Sequence, residues 1–297
     1  SHIKFTLSGP KRFLSQGVEG TVMSVVIAYV TVILVWATTP LGIKWSSEGF
    51  APLAGAFWRV FIAAVVAIIL AKLMRVAVPY HKKALSSYAA ANIGLFLGIG
   101  AVYVGATYLP SGLISVLFGL SPIVSSVLGR YLLDEPPFGV PQWIALILAL
   151  CGLFVVFQGD MQVTKNAYIG LSLVMFAMLC FCLSGVLIKK IDASLHPVAQ
   201  TTGSLVFAAP LFGLVYCFVG ESVENITEKS AMAIIYLALF GSIIGFLSYF
   251  YVLQRLPATT VALTTLVTPV LAISLGVFLN GEVLSLSIVL GGLLISG

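Results

Sequence analysis

Long apolar runs separated by short polar breaks recur along the whole chain. Ten runs stand out, with limits near 22–44, 53–73, 87–108, 111–133, 140–158, 168–190, 197–219, 231–254, 257–280 and one starting near 284. A helix of about 20 apolar residues crosses a hydrocarbon layer of ~30 Å. A membrane β-barrel would instead show alternating polarity in ~10-residue segments, and this chain has no such alternation. The pattern predicts an all-α integral membrane protein with ten transmembrane helices. The tenth run reaches Gly297 after about fourteen residues, too few to cross, so an incomplete last helix is expected. Residues 1–20 are polar and carry Gly and Pro, unlike a signal peptide.

Charge adds orientation. The chain is 60% hydrophobic and 8% charged, against roughly 25% charged in soluble domains. Assigning the loops alternately puts Lys4, Lys11, Arg12, Lys72, Arg75, Lys82, Lys83, Arg130, Lys189, Lys190 and Arg255 on one side. The other side holds Lys44, Lys165 and Lys229, and Arg59 falls inside a span. Cytoplasmic loops retain Lys and Arg, so both termini are expected in the cytoplasm, with 1–20 a cytoplasmic segment. The net charge of +5 then reflects topology and needs no nucleic-acid partner. Cys151, Cys180, Cys182 and Cys217 all fall within spans, where they read as small packing residues. Cys180 and Cys182 are two apart, on different helix faces, so they do not pair as metal ligands.

The chain also says one thing twice. "LPSGLISVLFGLSPIVSSVLGRYLLDE" from Leu109 and "LPATTVALTTLVTPVLAISLGVFLNGE" from Leu256 share seven of 27 positions at an offset of 147 residues. "PLGIKWSSEGFAP" from Pro40 answers "GVLIKKIDASLHP" from Gly185 at an offset of 145. The two copies would be 21–158 and 168–297, five spans each. An odd number of spans sends the second copy into the membrane from the opposite face. Such inverted repeats mark secondary transporters, with a substrate site near the midplane between the halves. The plainer alternative is a duplicated bundle with no transport role.

These residues carry a family resemblance. The paired "SP…LG…E" and "TP…LG…E" segments, "VWATTPLGIKW", "WRVFIAA" and "YFYVLQRLPATTVALTTLVTPVLA" resemble the drug/metabolite transporter superfamily, specifically its ten-helix EamA-type exporters. The resemblance covers nearly the whole chain. It implies a multi-pass bacterial inner-membrane protein that exports amino acids or related small metabolites.

Several residues are candidates for that work. Small residues line one stripe of the fourth span (Gly112, Ser115, Gly119, Pro122, Ser126, Gly129) and one of the ninth (Ala258, Ala262, Thr265, Pro269, Ala272, Gly276). Such stripes let helices approach closely in lipid. Pro122 and Pro269 each remove a mid-span hydrogen bond, so both are expected to kink their helices and act as hinges. Glu135 and Glu282 end those spans on opposite sides and are candidate gate latches, or else solvated ends. Arg59 lies about 9 Å inside the second span, at 1.5 Å per residue. A charge at such depth is by default functional or paired. It either faces the cavity to hold a carboxylate, snorkels outward, or bonds carbonyls freed by Pro40.

The remaining cavity candidates are aromatic or hydroxylic. Trp36, Thr38 and Thr39 stand in the first span, Tyr103 in the third and Ser115 in the fourth. Tyr249 follows in the eighth, and Thr264 and Thr268, four apart, share a face in the ninth. Thr hydroxyls in such helices also bond back to their own backbone. Tyr29, Trp45 and Trp143 fit interfacial anchors.

Function classes separate on what these spans hold. An intramembrane enzyme needs a nucleophile–base set or metal ligands at depth, whereas His2, His81 and His196 lie in loops or at span ends. A channel or sensor is expected to show rings of charge or a filter segment. No P-loop motif is present, so an intrinsic ATPase is excluded. What is expected is a monomeric secondary transporter without cofactor or metal, acting on a small molecule in a lipid bilayer. Phosphorylated metabolites, nucleotide sugars or drugs are the alternative cargo, but anionic cargo calls for more cavity cations than Arg59.

Overall fold

The computed structural model describes residues 11–135, 165–220 and 226–281, with scattered positions between 139 and 151 and residue 290. Most of the fifth and tenth predicted spans, with Glu282, lies outside them. Among the described residues, eight helices are long and apolar enough to cross a membrane. They are α1 (Lys11–Ser46), α2 (Pro52–Leu73), α3 (Lys82–Gly105), α4 (Ser111–Leu133), α5 (Lys165–Ile191), α6 (Pro197–Val219), α7 (Glu228–Leu253) and α8 (Ala258–Asn280).

Local chemistry sets the helix ends. Pro52 and Pro197 stand in the first helical turn, where a missing N–H costs nothing. His81 Nδ1 accepts from the Ala84 amide, and His196 Nδ1 from the Val198 amide, so both histidines serve as caps. Thr227 and Ser230 form a reciprocal capping box that opens α7. Gly220 and Gly281 end α6 and α8 at φ 65° and 61°, a backbone region that favours glycine.

The helices pack as two related sets. α1 lies along α7 and α8, while α5 lies along α3 and α4, and α2 runs against α6. Under the sequence offset α1 corresponds to α5, α3 to α7, and α4 to α8, so each contact has its counterpart. The same offset relates two backbone irregularities. α3 is π-helical over Ile93–Gly98 and α7 over Leu237–Ile244, about 145 residues apart. Single-turn π segments are rare and concentrate at functional sites. Close approach relies on glycine: a Cβ at Gly98 would lie 2.9 Å from the Phe181 ring, and one at Gly170 would lie 2.7 Å from the Tyr108 side chain. The stripes expected in the fourth and ninth spans are buried throughout, apart from a half-buried Ala262.

The prolines behave differently from the expectation of matched kinks. α4 breaks at Gly119–Leu120, just before Ser121 and Pro122 open a new helical segment. α8 breaks at Leu263, and Pro269 sits inside the continuous helix that follows. What the two sites share is the residue before the proline. Pro122 leaves the Phe118 carbonyl without its amide donor, and the Ser121 hydroxyl donates to it at 2.5 Å. Pro269 frees the Thr265 carbonyl in the same way, and the Thr268 hydroxyl donates to it at 3.1 Å. The repeated "SP" and "TP" are thus a proline with its own repair. Ser121→Ala or Thr268→Val orphans the freed carbonyl and is expected to cost about 1–3 kcal/mol, whereas Thr268→Ser costs little. Thermal unfolding in detergent checks both.

Candidate functional site

A cavity of about 120 Å³, counted as space open to the centres of water molecules, lies between the two helix sets. That holds several waters or a small solute. Trp36 and Thr39 enter its wall from α1, Arg59 from α2, Ser115, Phe118, Ser121 and Ser125 from α4, and Phe181, Cys182 and Gly185 from α5. Tyr249 enters from α7 and Thr265 and Thr268 from α8. Of the described residues in this wall, Arg59 alone is ionised at neutral pH. Among the described residues no group of three or more His, Cys, Asp or Glu is placed to hold a metal ion.

Arg59 is 3% exposed. It neither snorkels outward nor reaches the backbone near Pro40. Its Nε donates to the Ser242 hydroxyl at 2.9 Å. The guanidinium lies against Gly241, where an added Cβ would be 3.1 Å from Nη2. Both partners belong to the π segment of α7, so the irregular turn makes room for the cation. The Tyr103 hydroxyl, wholly buried beside Arg59 and Ser46, makes no hydrogen bond of good geometry. Lys229 and Glu48 pair at 2.6 Å on the exposed surface, away from this site. The guanidinium has no carboxylate within 4.0 Å among the described residues. A buried cation is costly unless paired and hydrogen-bonded, and a guanidinium fork is built to take a carboxylate.

Part of the same wall is aromatic. The Trp36 and Tyr249 rings lie 5.2 Å apart, tilted by 37°. The Tyr249 hydroxyl sits directly over Gly185, in space that any other residue's Cβ would fill. Cys182 packs between α4 and α5, its thiol 3.6 Å from the Ser121 carbonyl.

Six of the sequence candidates therefore share one wall: Trp36, Thr39, Arg59, Ser115, Tyr249 and Thr268. Thr38, Tyr103 and Thr264 stand outside it. The Thr38 hydroxyl donates to the Val35 carbonyl at 2.8 Å and meets the Tyr236 hydroxyl. Thr264 is fully buried and donates to the Val261 carbonyl at 2.8 Å. Glu135 lies at the bundle end, where its Oε2 accepts from the Thr259 hydroxyl at 2.8 Å and ties the end of α4 to the start of α8. Ser121, Ser125, Cys182 and Thr265 were not among the candidates. The hydroxyl preceding each repeated proline was the available signal for Ser121.

The model of the EamA-like transporter family matches residues 23–158 and again 168–297. The chain belongs to that family. An uncharacterized Bacillus subtilis transporter, YoaV, is 26% identical over 92% of this chain and 94% of its own length. The uncharacterized inner membrane transporter YedA of Escherichia coli K12 is 26% identical over 85% of this chain and 81% of its own. PagO of Salmonella typhimurium is 23% identical over 89% and 87%. A solved crystal structure superposes with a TM-score of 0.71 at 17% identity, over 92% of this chain and 94% of that one, and shows the same fold. This EamA-family chain is thus a multi-pass membrane transporter.

Proposed function

We propose that the protein is a secondary transporter that exports amino acids or related small metabolites from the bacterial cytoplasm, by alternating access around the central cavity. The observation that carries this reading is Arg59: a buried guanidinium at the cavity wall, hydrogen-bonded to Ser242, with no described carboxylate in reach. A substrate carboxylate completes it. The wall is mostly apolar, so a charge-assisted pair there is stronger than at a surface. The substrate's ammonium group lies over the electron-rich faces of Trp36 and Tyr249, a cation–π contact of ~0.5–2 kcal/mol. Phe118 and Phe181 then pack on an apolar side chain. A phosphorylated cargo, with two or more negative charges, would meet a single cation.

The moving parts follow from the paired irregularities. The broken α4 and α8, and the π segments of α3 and α7, hold fewer regular backbone hydrogen bonds, so each half can bend at low cost on its own side of the cavity. Alternation between the two bends exposes the site first to one face, then to the other.

Cys182 reports on this directly. In a Cys151→Ala, Cys180→Ala, Cys217→Ala background, a small methanethiosulfonate reagent labels Cys182 from the cavity. Saturating transported amino acid is expected to slow labelling several-fold. Labelling indifferent to every transported solute would place the substrate elsewhere.

A further inference from the structure

A second cavity lies at the bundle end that the charge count places in the cytoplasm. It has about 300 Å³ open to water centres and is formed where α3, α5, α6 and α7 meet the loop after Ile191. Its wall differs in kind from that of the central cavity. It holds an ammonium and a carboxylate, Lys189 and Asp192, beside the neutral polar groups of Ser87, Gln200 and Gln254. Ser87 donates to Gln200 Oε1 at 2.6 Å and both are buried, so this part of the wall is fixed. Lys189 Nζ donates to the carbonyls of Leu253 and Leu256, at 3.1 and 2.6 Å, which leaves one of its three donors. Its charge interacts with both Glu135 and Asp192.

The Asp192 carboxylate is exposed and takes a long, 3.4 Å contact from the Ser194 hydroxyl. Asp192 and Ser194 hold φ of 43° and 50°, a region uncommon for residues other than glycine. Leu253 is buried and lines both cavities, so the two adjoin at that side chain.

We propose that this chamber is a docking site for a zwitterionic solute, which rests there before passing Leu253 into the central cavity. Asp192 takes the ammonium group, and the free donor of Lys189 takes the carboxylate. The substrate class rests on the reading of Arg59 given above, and the side of the membrane rests on the charge count.

Equilibrium binding of radiolabelled L-phenylalanine and L-leucine to the purified full chain in detergent tests it. The wild type is expected to bind two molecules per chain. Asp192→Asn keeps the left-handed backbone, which Asn tolerates, and removes the charge. It is expected to weaken one site by roughly tenfold or more, the range of a lost charge-assisted bond, and to leave the other intact. Arg59→Ala is expected to remove the site that survives in Asp192→Asn. As a second probe, N-acetyl-L-phenylalanine lacks the ammonium group and is expected to bind the wild type once. One wild-type site, lost in Arg59→Ala and unchanged in Asp192→Asn, overturns the docking chamber and leaves the central site standing. Absence of binding to a monodisperse wild type overturns both.

Discussion

Arg59→Ala is expected to lower transport of carboxylate-bearing solutes by roughly 10- to 150-fold, the equivalent of about 1.5–3 kcal/mol for a hydrogen bond to a charged group. The buried guanidinium faces a cavity whose remaining described wall is aromatic, aliphatic, hydroxylic or thiol. Nothing else there can neutralise a carboxylate. The variant also leaves Ser242 and Tyr103 without their cationic neighbour, so its stability must be read alongside. Monodispersity and a melting temperature near that of the wild type separate a lost site from a lost fold. Arg59→Lys keeps the charge but not the planar fork, and is expected to fall between the two. Unchanged transport in a folded Arg59→Ala protein would remove Arg59 from the site.

The second large effect comes from a glycine. Gly185→Ala places a methyl where the Tyr249 hydroxyl now sits. Gly185 belongs to α5 and Tyr249 to α7, so the ring must swing aside or the helices must shift. Overpacking of this kind costs about 1–3 kcal/mol, and the displaced ring also breaks its 5.2 Å pairing with Trp36. Transport by Gly185→Ala is expected to collapse. Tyr249→Phe removes the oxygen alone, and the new methyl then clears the ring carbon at 3.7 Å. The double variant is therefore expected to regain most of the folding stability and part of the transport, a coupling that a double-mutant cycle reads directly. No recovery would mean that Gly185 is needed for something other than room for Tyr249.

The helices were legible in the sequence because membrane thickness sets their length. The run expected at 53–73 is the helix Pro52–Leu73, and the run at 168–190 is Lys165–Ile191. The ends that slipped are those fixed by polar chemistry. α3 starts at Lys82 under the His81 cap, and α7 at Glu228 under its capping box, each several residues before the apolar run begins. The repeated prolines pointed to α4 and α8 as special; the break in α4 falls in the turn before Pro122, whereas the one in α8 lies away from Pro269. The Ser121 and Thr268 hydroxyls take over the freed carbonyls, and the breaks stand at Gly119–Leu120 and Leu263. The π segments left no trace, since Gly and aliphatic residues fill α-helical and π-helical turns alike.

The site was half legible for a related reason. In a helix apolar on every face, no polar stripe fixes the rotation about its axis. Thr38 and Thr39 are neighbours about 100° apart on the helix, and only Thr39 meets the cavity. Thr264 and Thr268 share a face, yet the cavity takes Thr265 with Thr268. Arg59 was found because a lone charge in a span is rare enough to need a reason. Cys182 was missed because a cysteine in a helix interior is ordinarily filler.

Counterflow in proteoliposomes tests the central claim most directly. Vesicles are preloaded with one unlabelled amino acid at a time, and entry of the same labelled amino acid is followed. The exchange requires no knowledge of a coupling ion, so it reads cargo alone. We predict transient accumulation of several neutral or aromatic amino acids, lost in Arg59→Ala. Silence across the whole panel, under conditions where a known amino-acid transporter gives a signal, would contradict an amino-acid cargo.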